Sequence, residues 1–143
     1  MNHPLAYLVT FRCYQPLSPG APPAYQMTGT RGDAVLEAIR RVCRREGWGL
    51  RAAGVRLDRA GAVVVTGETP AWVIQSFERY AARLLDGQAD RAFQRWADSG
   101  VHYLWRAEDV AAAVHQVAGE RVVAAYREQP ARRLGKWADC RPT

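Results

Sequence analysis

The residues best equipped for chemistry in this chain are its arginines. Twenty basic side chains stand against 14 acidic ones, a formal net charge of +6, and Lys136 is the sole lysine. A guanidinium offers five donors in a planar fork that grips phosphate through paired bonds and stacks on flat rings. The balance therefore points to a nucleic-acid partner. A GC-rich genome, whose codons favour Arg and Ala, accounts for the same balance, and composition leaves both readings open. Arg40, Arg41, Arg44 and Arg45 recur at helical spacing with too little acid beside them. Glu37 can pair with Arg40 or Arg41, so a solvated helix face is the plainer account of that run. Arg12, Arg51, Arg56 and Arg59 fall on or next to expected strands, and Arg132, Arg133 and Lys136 give the C-terminal tail a phosphate-binding character. Trp48, Trp72, Trp96, Trp105 and Trp137 suit either base stacking or the core.

Other reactive types are sparse. Cys13, Cys43 and Cys140 lack metal-type spacing and cannot all pair, so reduced thiols and a cytoplasmic setting are expected. His3, His102 and His115 are scattered along the chain. No stretch approaches the roughly 18 consecutive apolar residues that span a bilayer. Met1-Asn2-His3-Pro4 lacks a basic region followed by an apolar run, so no secretory signal is expected.

These side chains must be positioned by a small set of elements. Leu5 to Tyr14 reads as a buried strand, and residues 15–32, with four prolines, read as a long loop. Asp33 is expected to cap a helix running to about Glu46, with Val35, Ile39 and Val42 on one stripe and Gly47 as its stop. Trp48 to Leu57 and Ala60 to Thr66 read as two strands, and the short Asp58-Arg59 segment between them suggests a hairpin or a bulged strand pair. Thr69-Pro70 opens a second helix, with Val73, Phe77, Ala81 and Leu84 facing inward, that ends near Asp86. Val101 to Trp105 is a short strand. Glu108 and Asp109 start a third helix, and residues 120–128 suggest a further helical turn or two. The order β-α-β-β-α-β then α is the ferredoxin-like split βαβ pattern of the α+β class: an antiparallel sheet with helices mainly on one face. Residues 1–128 make a single domain and 129–143 a basic tail.

Several segments together resemble the REP-associated tyrosine transposases and their insertion-sequence relatives, members of the HUH endonuclease superfamily. Pro4 to Tyr14 (PLAYLVTFRCY) is similar to their first strand, and Val35 to Trp48 (VLEAIRRVCRREGW) to their first helix. Phe77 to Leu84 (FERYAARL) resembles the helix bearing their nucleophilic tyrosine. Tyr103-Leu104-Trp105 with Glu108 to Val114 resembles their last strand and following helix. The resemblance implies a ferredoxin-like fold in which two histidines flanking an apolar residue hold Mg²⁺ or Mn²⁺. A tyrosine, here Tyr80, attacks a phosphate of single-stranded DNA and keeps the 5′ end as a phosphotyrosine. It also implies a DNA hairpin with a single-stranded flank as partner.

The chain departs from that pattern where the metal belongs. The strand that should read His-apolar-His reads Ala60-Gly61-Ala62, so Ala60 and Ala62 stand at the ligand positions, and a methyl group offers no lone pair. Arg83 and Leu84 occupy the place of a further ligand. Asp58, on the face shared by Ala60 and Ala62 in an extended strand and helped by Glu68, is the remaining oxygen donor; a solvated turn residue is the plainer account of it. Tyr80 also extends the stripe begun by Phe77. A phenol with a pKa near 10 is a poor nucleophile without activation.

The expected function is thus a catalytically inactive, domesticated transposase domain that needs no cofactor and binds hairpin or single-stranded DNA, with RNA also possible. The nucleic-acid contacts are assigned to Arg12, Arg40, Arg41, Arg44, Arg45, Arg56, Arg59, Arg132, Arg133 and Lys136. The alternatives are an active nickase working through Tyr80 with Mg²⁺ or Mn²⁺, and a structural subunit that meets a protein partner or a second copy of itself. No membrane association is expected.

Overall fold

A computed structural model describes residues 3–13, 25–87, 96–119 and 121–129 of the chain. The eight elements are β1 (Ala6–Cys13), α1 (Thr30–Glu46), β2 (Gly49–Val55), β3 (Arg59–Val65), α2 (Pro70–Gly87), β4 (Trp96–Leu104), α3 (Ala107–Val117) and β5 (Ala124–Arg127). The five strands form one sheet in the order β4-β1-β3-β2-β5, with every neighbouring pair antiparallel. This is the expected α+β, ferredoxin-like arrangement.

The two-residue period of the strands divides the sheet into two faces with separate cores. Val9 and Phe11 of β1, Ala60, Ala62 and Val64 of β3, and Val35, Ile39, Val42, Val73 and Phe77 of α1 and α2 make the larger core. Its aromatic centre is Phe11, with the Trp96 ring edge-on at 4.8 Å. The opposite strand positions, Ala6, Leu8, Ala52, Val63 and Leu104, pack under Ala113 and Val117 of α3. The first two helices therefore cover one face, and α3 covers part of the other.

Local signals set most boundaries. The Trp72 N–H donates to the Thr69 hydroxyl at 3.3 Å, so Thr69 caps α2 as its sequence suggests. Gly47 ends α1 in the left-handed region at φ 74°, and its N–H returns to the Cys43 carbonyl. The start of α1 differs from expectation. The cap is Gly29, at φ 54°, and Asp33 sits in the first turn, where its carboxylate complements the helix dipole.

Two corrections concern strands. Residues 124–127 form β5 rather than helical turns: Ala53 pairs with Tyr126 and Val55 with Ala124 along the outer edge of β2. A strand edge with unpaired amides and an apolar face for Tyr126 outweighs the local helix preference of an Ala-rich stretch. β4 starts at Trp96 rather than Val101, because Cys13 opposite Trp96 extends the ladder beyond the irregularity in β1. The tail residues Arg132, Arg133, Lys136, Trp137 and Cys140, and residues 15–24 of the long loop, lie outside the described residues.

Candidate nucleic-acid interface

The turn between β2 and β3 is fixed from three sides. The Arg56 N–H donates to the Arg59 carbonyl at 2.7 Å, Cys13 to the Asp58 carbonyl at 2.9 Å, and Met27 to the Leu57 carbonyl at 2.8 Å. It stands beside a row of small side chains on the α3 face of the sheet. Thr10 of β1 lies opposite Gly61 of β3, and Gly61 opposite Gly54 of β2. Gly100 of β4 continues the row on the other side of Thr10.

Glycine inside a strand marks a place where another backbone comes close. At Gly54 that backbone is the end of α3: a Cβ built there overlaps the Val117 carbonyl oxygen. Arg56 then reaches over and donates from Nη2 to the Gln116 carbonyl at 2.7 Å. A cation at a helix C-terminus meets the negative end of the dipole, so this contact also anchors α3 on the sheet.

An open groove of about 450 Å³ remains, floored by Thr10, Gly54 and Gly61 and walled by Arg56, Arg59 and Arg121. That volume falls in the ~300–1,000 Å³ range of sites that take small ligands. Arg121 is the one non-glycine residue with positive φ among those described, at 69°. Such backbone favours Gly, Asn or Asp, so Arg121 is held in a conformation that arginine rarely adopts. Asp58 is the carboxylate in this wall. Its oxygens accept from Nε and Nη2 of Arg59 at 3.1 and 3.2 Å, and these bonds hold its pKa below the usual carboxylate value. Arg12, opposite Arg59 in the register, pairs with Asp98 of β4 at 3.5 Å.

The remaining expected site residues lie elsewhere. Ala60 and Ala62 point into the larger core and are essentially inaccessible. Asp58 belongs to the turn, one residue before β3, and lines the groove. Glu68 is exposed beyond the far end of β3. The donor set does not fit Mg²⁺ or Mn²⁺: two buried methyl groups and one carboxylate already engaged by an arginine cannot supply the several oxygens such ions take. Among the described residues no group of three or more His, Cys, Asp or Glu side chains is placed to hold a metal ion.

Tyr80 is half-buried against the larger core, and its hydroxyl accepts from Arg41 Nη1 at 3.4 Å. The structure therefore places Tyr80 in the α1–α2 layer and Asp58 at the groove, and does not bring them together. Arg40, Arg41, Arg44 and Arg45 also belong to the α1 layer, away from the groove. Of the arginines expected to bind nucleic acid, Arg56 and Arg59 line the groove and Arg12 adjoins it.

Sequence reasoning missed Arg121, Gln116 and the floor. The two glycines, placed in strands on either side of a tight turn, were the signal that could have found it.

No protein-family model matches the chain, and no curated protein does. Among solved structures, it is similar to a REP-associated tyrosine transposase bound to a REP hairpin, with a TM-score of 0.58 at 12% identity. The match covers 82% of this chain and 66% of that one, so the chain spans about two thirds of the transposase's length. What the chain shares with that transposase is a fold, and in that sense its architecture is transposase-like.

Proposed function

We propose that the protein binds hairpin or single-stranded DNA without cutting it, the single strand lying in the groove at the end of α3. The observation that carries this reading is the wall of Arg56, Arg59 and Arg121 over a floor of Thr10, Gly54 and Gly61. The fold is similar to that of a transposase bound to a DNA hairpin, which supports the same partner. The end of α3 fills the space over Gly54 and packs against Gly61, so the sugar and phosphate lie beside it, against Thr10 and the arginine wall. Three guanidiniums against one carboxylate leave a net positive wall for that phosphate.

The absence of cutting is supported by the position of Tyr80. Its hydroxyl lies in the helical layer against Arg41, on the other side of the sheet from the groove. A phenol there does not reach a phosphate held over Gly61.

The test uses a labelled hairpin with a single-stranded flank. Binding is expected to weaken steeply with salt, with a slope of about −0.7 per phosphate contacted on the single strand. No denaturation-resistant adduct is expected with Mg²⁺ or Mn²⁺. An adduct that disappears in Tyr80→Phe would establish the active nickase instead. Absence of any salt-sensitive binding to DNA, or to an RNA version of the hairpin, would favour the structural-subunit reading.

A further inference from the structure

The groove is closed at its α3 end and open toward β4. A Cβ at Gly54 would overlap the Val117 carbonyl oxygen, and one at Gly61 would stand 3.3 Å from Val117 Cγ1, so the last turn of α3 sits over both glycines. Arg56 bridges from the β2–β3 turn to the Gln116 carbonyl at 2.7 Å and completes the closure. On the other side, Thr10 lies opposite Gly100 of β4. Among the described residues, a Cβ at Gly100 would meet only Thr10 Oγ1, at 3.0 Å. A strand laid on the sheet from Thr10 toward β2 therefore meets α3 and stops. The shape suits the end of a strand rather than its interior.

The donors left over indicate the chemistry of that end. Arg59 engages Asp58 through Nε and Nη2, and Arg56 engages Gln116 through Nη2. Arg121 is exposed and makes no ion pair among the described residues. The carbonyl end of α3 offers an anion no N–H, so these side chains alone must grip it. Arg56, Arg59 and Arg121 against Asp58 leave the wall with more than a single positive charge in excess. An internal phosphodiester carries one negative charge. A terminal phosphomonoester carries about −1.5 to −2 at pH 7 and presents three acceptor oxygens. The monoester is the better match, both to the excess charge and to the paired bonds that guanidinium forks make.

We infer that the groove binds the phosphorylated end of a single strand. Arg121 and the remaining donors of Arg56 and Arg59 hold the terminal phosphomonoester, with its sugar against Thr10. The inference rests on the nucleic-acid reading above and narrows it from a strand to a strand end.

The test titrates the full chain with a short unstructured DNA strand in separate forms: 5′-phosphorylated, 3′-phosphorylated, and hydroxyl-ended on both sides. A hydroxyl-ended strand longer by a single nucleotide controls for the added charge. A phosphorylated form is expected to bind roughly tenfold tighter than the hydroxyl-ended strand and than the longer control, the gain of about one charge-assisted hydrogen bond. Whether the 5′ or the 3′ form shows the gain sets the polarity of the bound strand. Arg121→Gln should remove the preference, with its melting temperature as the folding control. Arg121→Gly, which suits the positive φ, is the second variant. Equal affinity for all forms, or a gain matched by the longer control, overturns the inference and leaves the groove reading standing. A preference that survives the loss of Arg121 also overturns it. If no form binds, the nucleic-acid reading falls with it.

Discussion

Replacing Gly54 by alanine probes the junction on which the groove depends. The added Cβ would overlap the Val117 carbonyl oxygen, a backbone atom that cannot rotate away. The last turn of α3 must then lift from β2. Overpacking of this kind costs about 1–3 kcal/mol. Lifting Gln116 also strains the 2.7 Å bond from Arg56, a charge-assisted contact worth about 1.5 kcal/mol at the low end suited to its exposure. Against this, alanine is favoured over glycine in a strand by roughly 0.5–1 kcal/mol. The net is a loss of about 3 kcal/mol, or roughly 10 °C in melting temperature for a domain of this size.

Gly61→Ala is the matched control. Its Cβ would meet two side-chain atoms that can give way, Val117 Cγ1 at 3.3 Å and Thr10 Cγ2 at 3.4 Å, and would stand at ordinary contact distance, 3.5 Å, from the Val9 carbonyl oxygen. Its change should stay within about 1 kcal/mol. Thermal and urea unfolding of the two variants side by side decide the matter. A Gly54→Ala protein that melts within a degree or two of wild type would mean that α3 does not rest on β2 there, and the groove as described would not exist.

Four further outcomes are expected. Arg56→Gln removes a wall cation and the tether to α3, so single-strand affinity should fall several-fold and the salt slope should flatten by about one unit or less in a fluorescence titration. Tyr80→Phe loses only an acceptor for the fully exposed Arg41, so the unfolding midpoint should hardly move and DNA binding should be unchanged. Burial pushes the Cys13 and Cys43 thiols up to about 12. In a Cys140→Ser background neither should react with a thiol reagent at pH 8 until urea unfolds the chain. The same shift has a pH consequence: both thiols stay neutral in the folded state, so stability is intact below the unfolded thiol pKa of 9.0 and declines as pH rises from there toward 12, which equilibrium unfolding between pH 8 and 11 would register.

Much of the fold was legible because local rules and long-range packing agreed. Thr69 followed by Pro70, Gly47 after Glu46, and the apolar stripes of α1 and α2 each name an element and its end. β5 was not legible. Its four residues carry little strand character, and their conformation comes from the free edge of β2 and from Tyr126 packing toward α1. The site was legible only in part. Composition pointed to arginines and two of them, Arg56 and Arg59, line the groove. Which face of β3 is open depends on where α1, α2 and α3 land. A run as uniform as Ala60-Gly61-Ala62-Val63 carries no polar-apolar alternation to reveal it. Arg121 gave no signal at all, because its place in the groove wall comes from the backbone turn that follows α3 and not from a local sequence pattern.

Where an unpaired strand binds decides most directly whether the groove is a nucleic-acid site. Amide chemical shifts recorded while a short unstructured DNA oligonucleotide is added would locate it residue by residue. The expected result is progressive, saturable shifts at Thr10, Gly54, Gly61 and Arg121, with little change at Tyr80 and Arg83. Shifts confined to the α1–α2 layer, or none up to millimolar oligonucleotide, would contradict a single strand held in the groove.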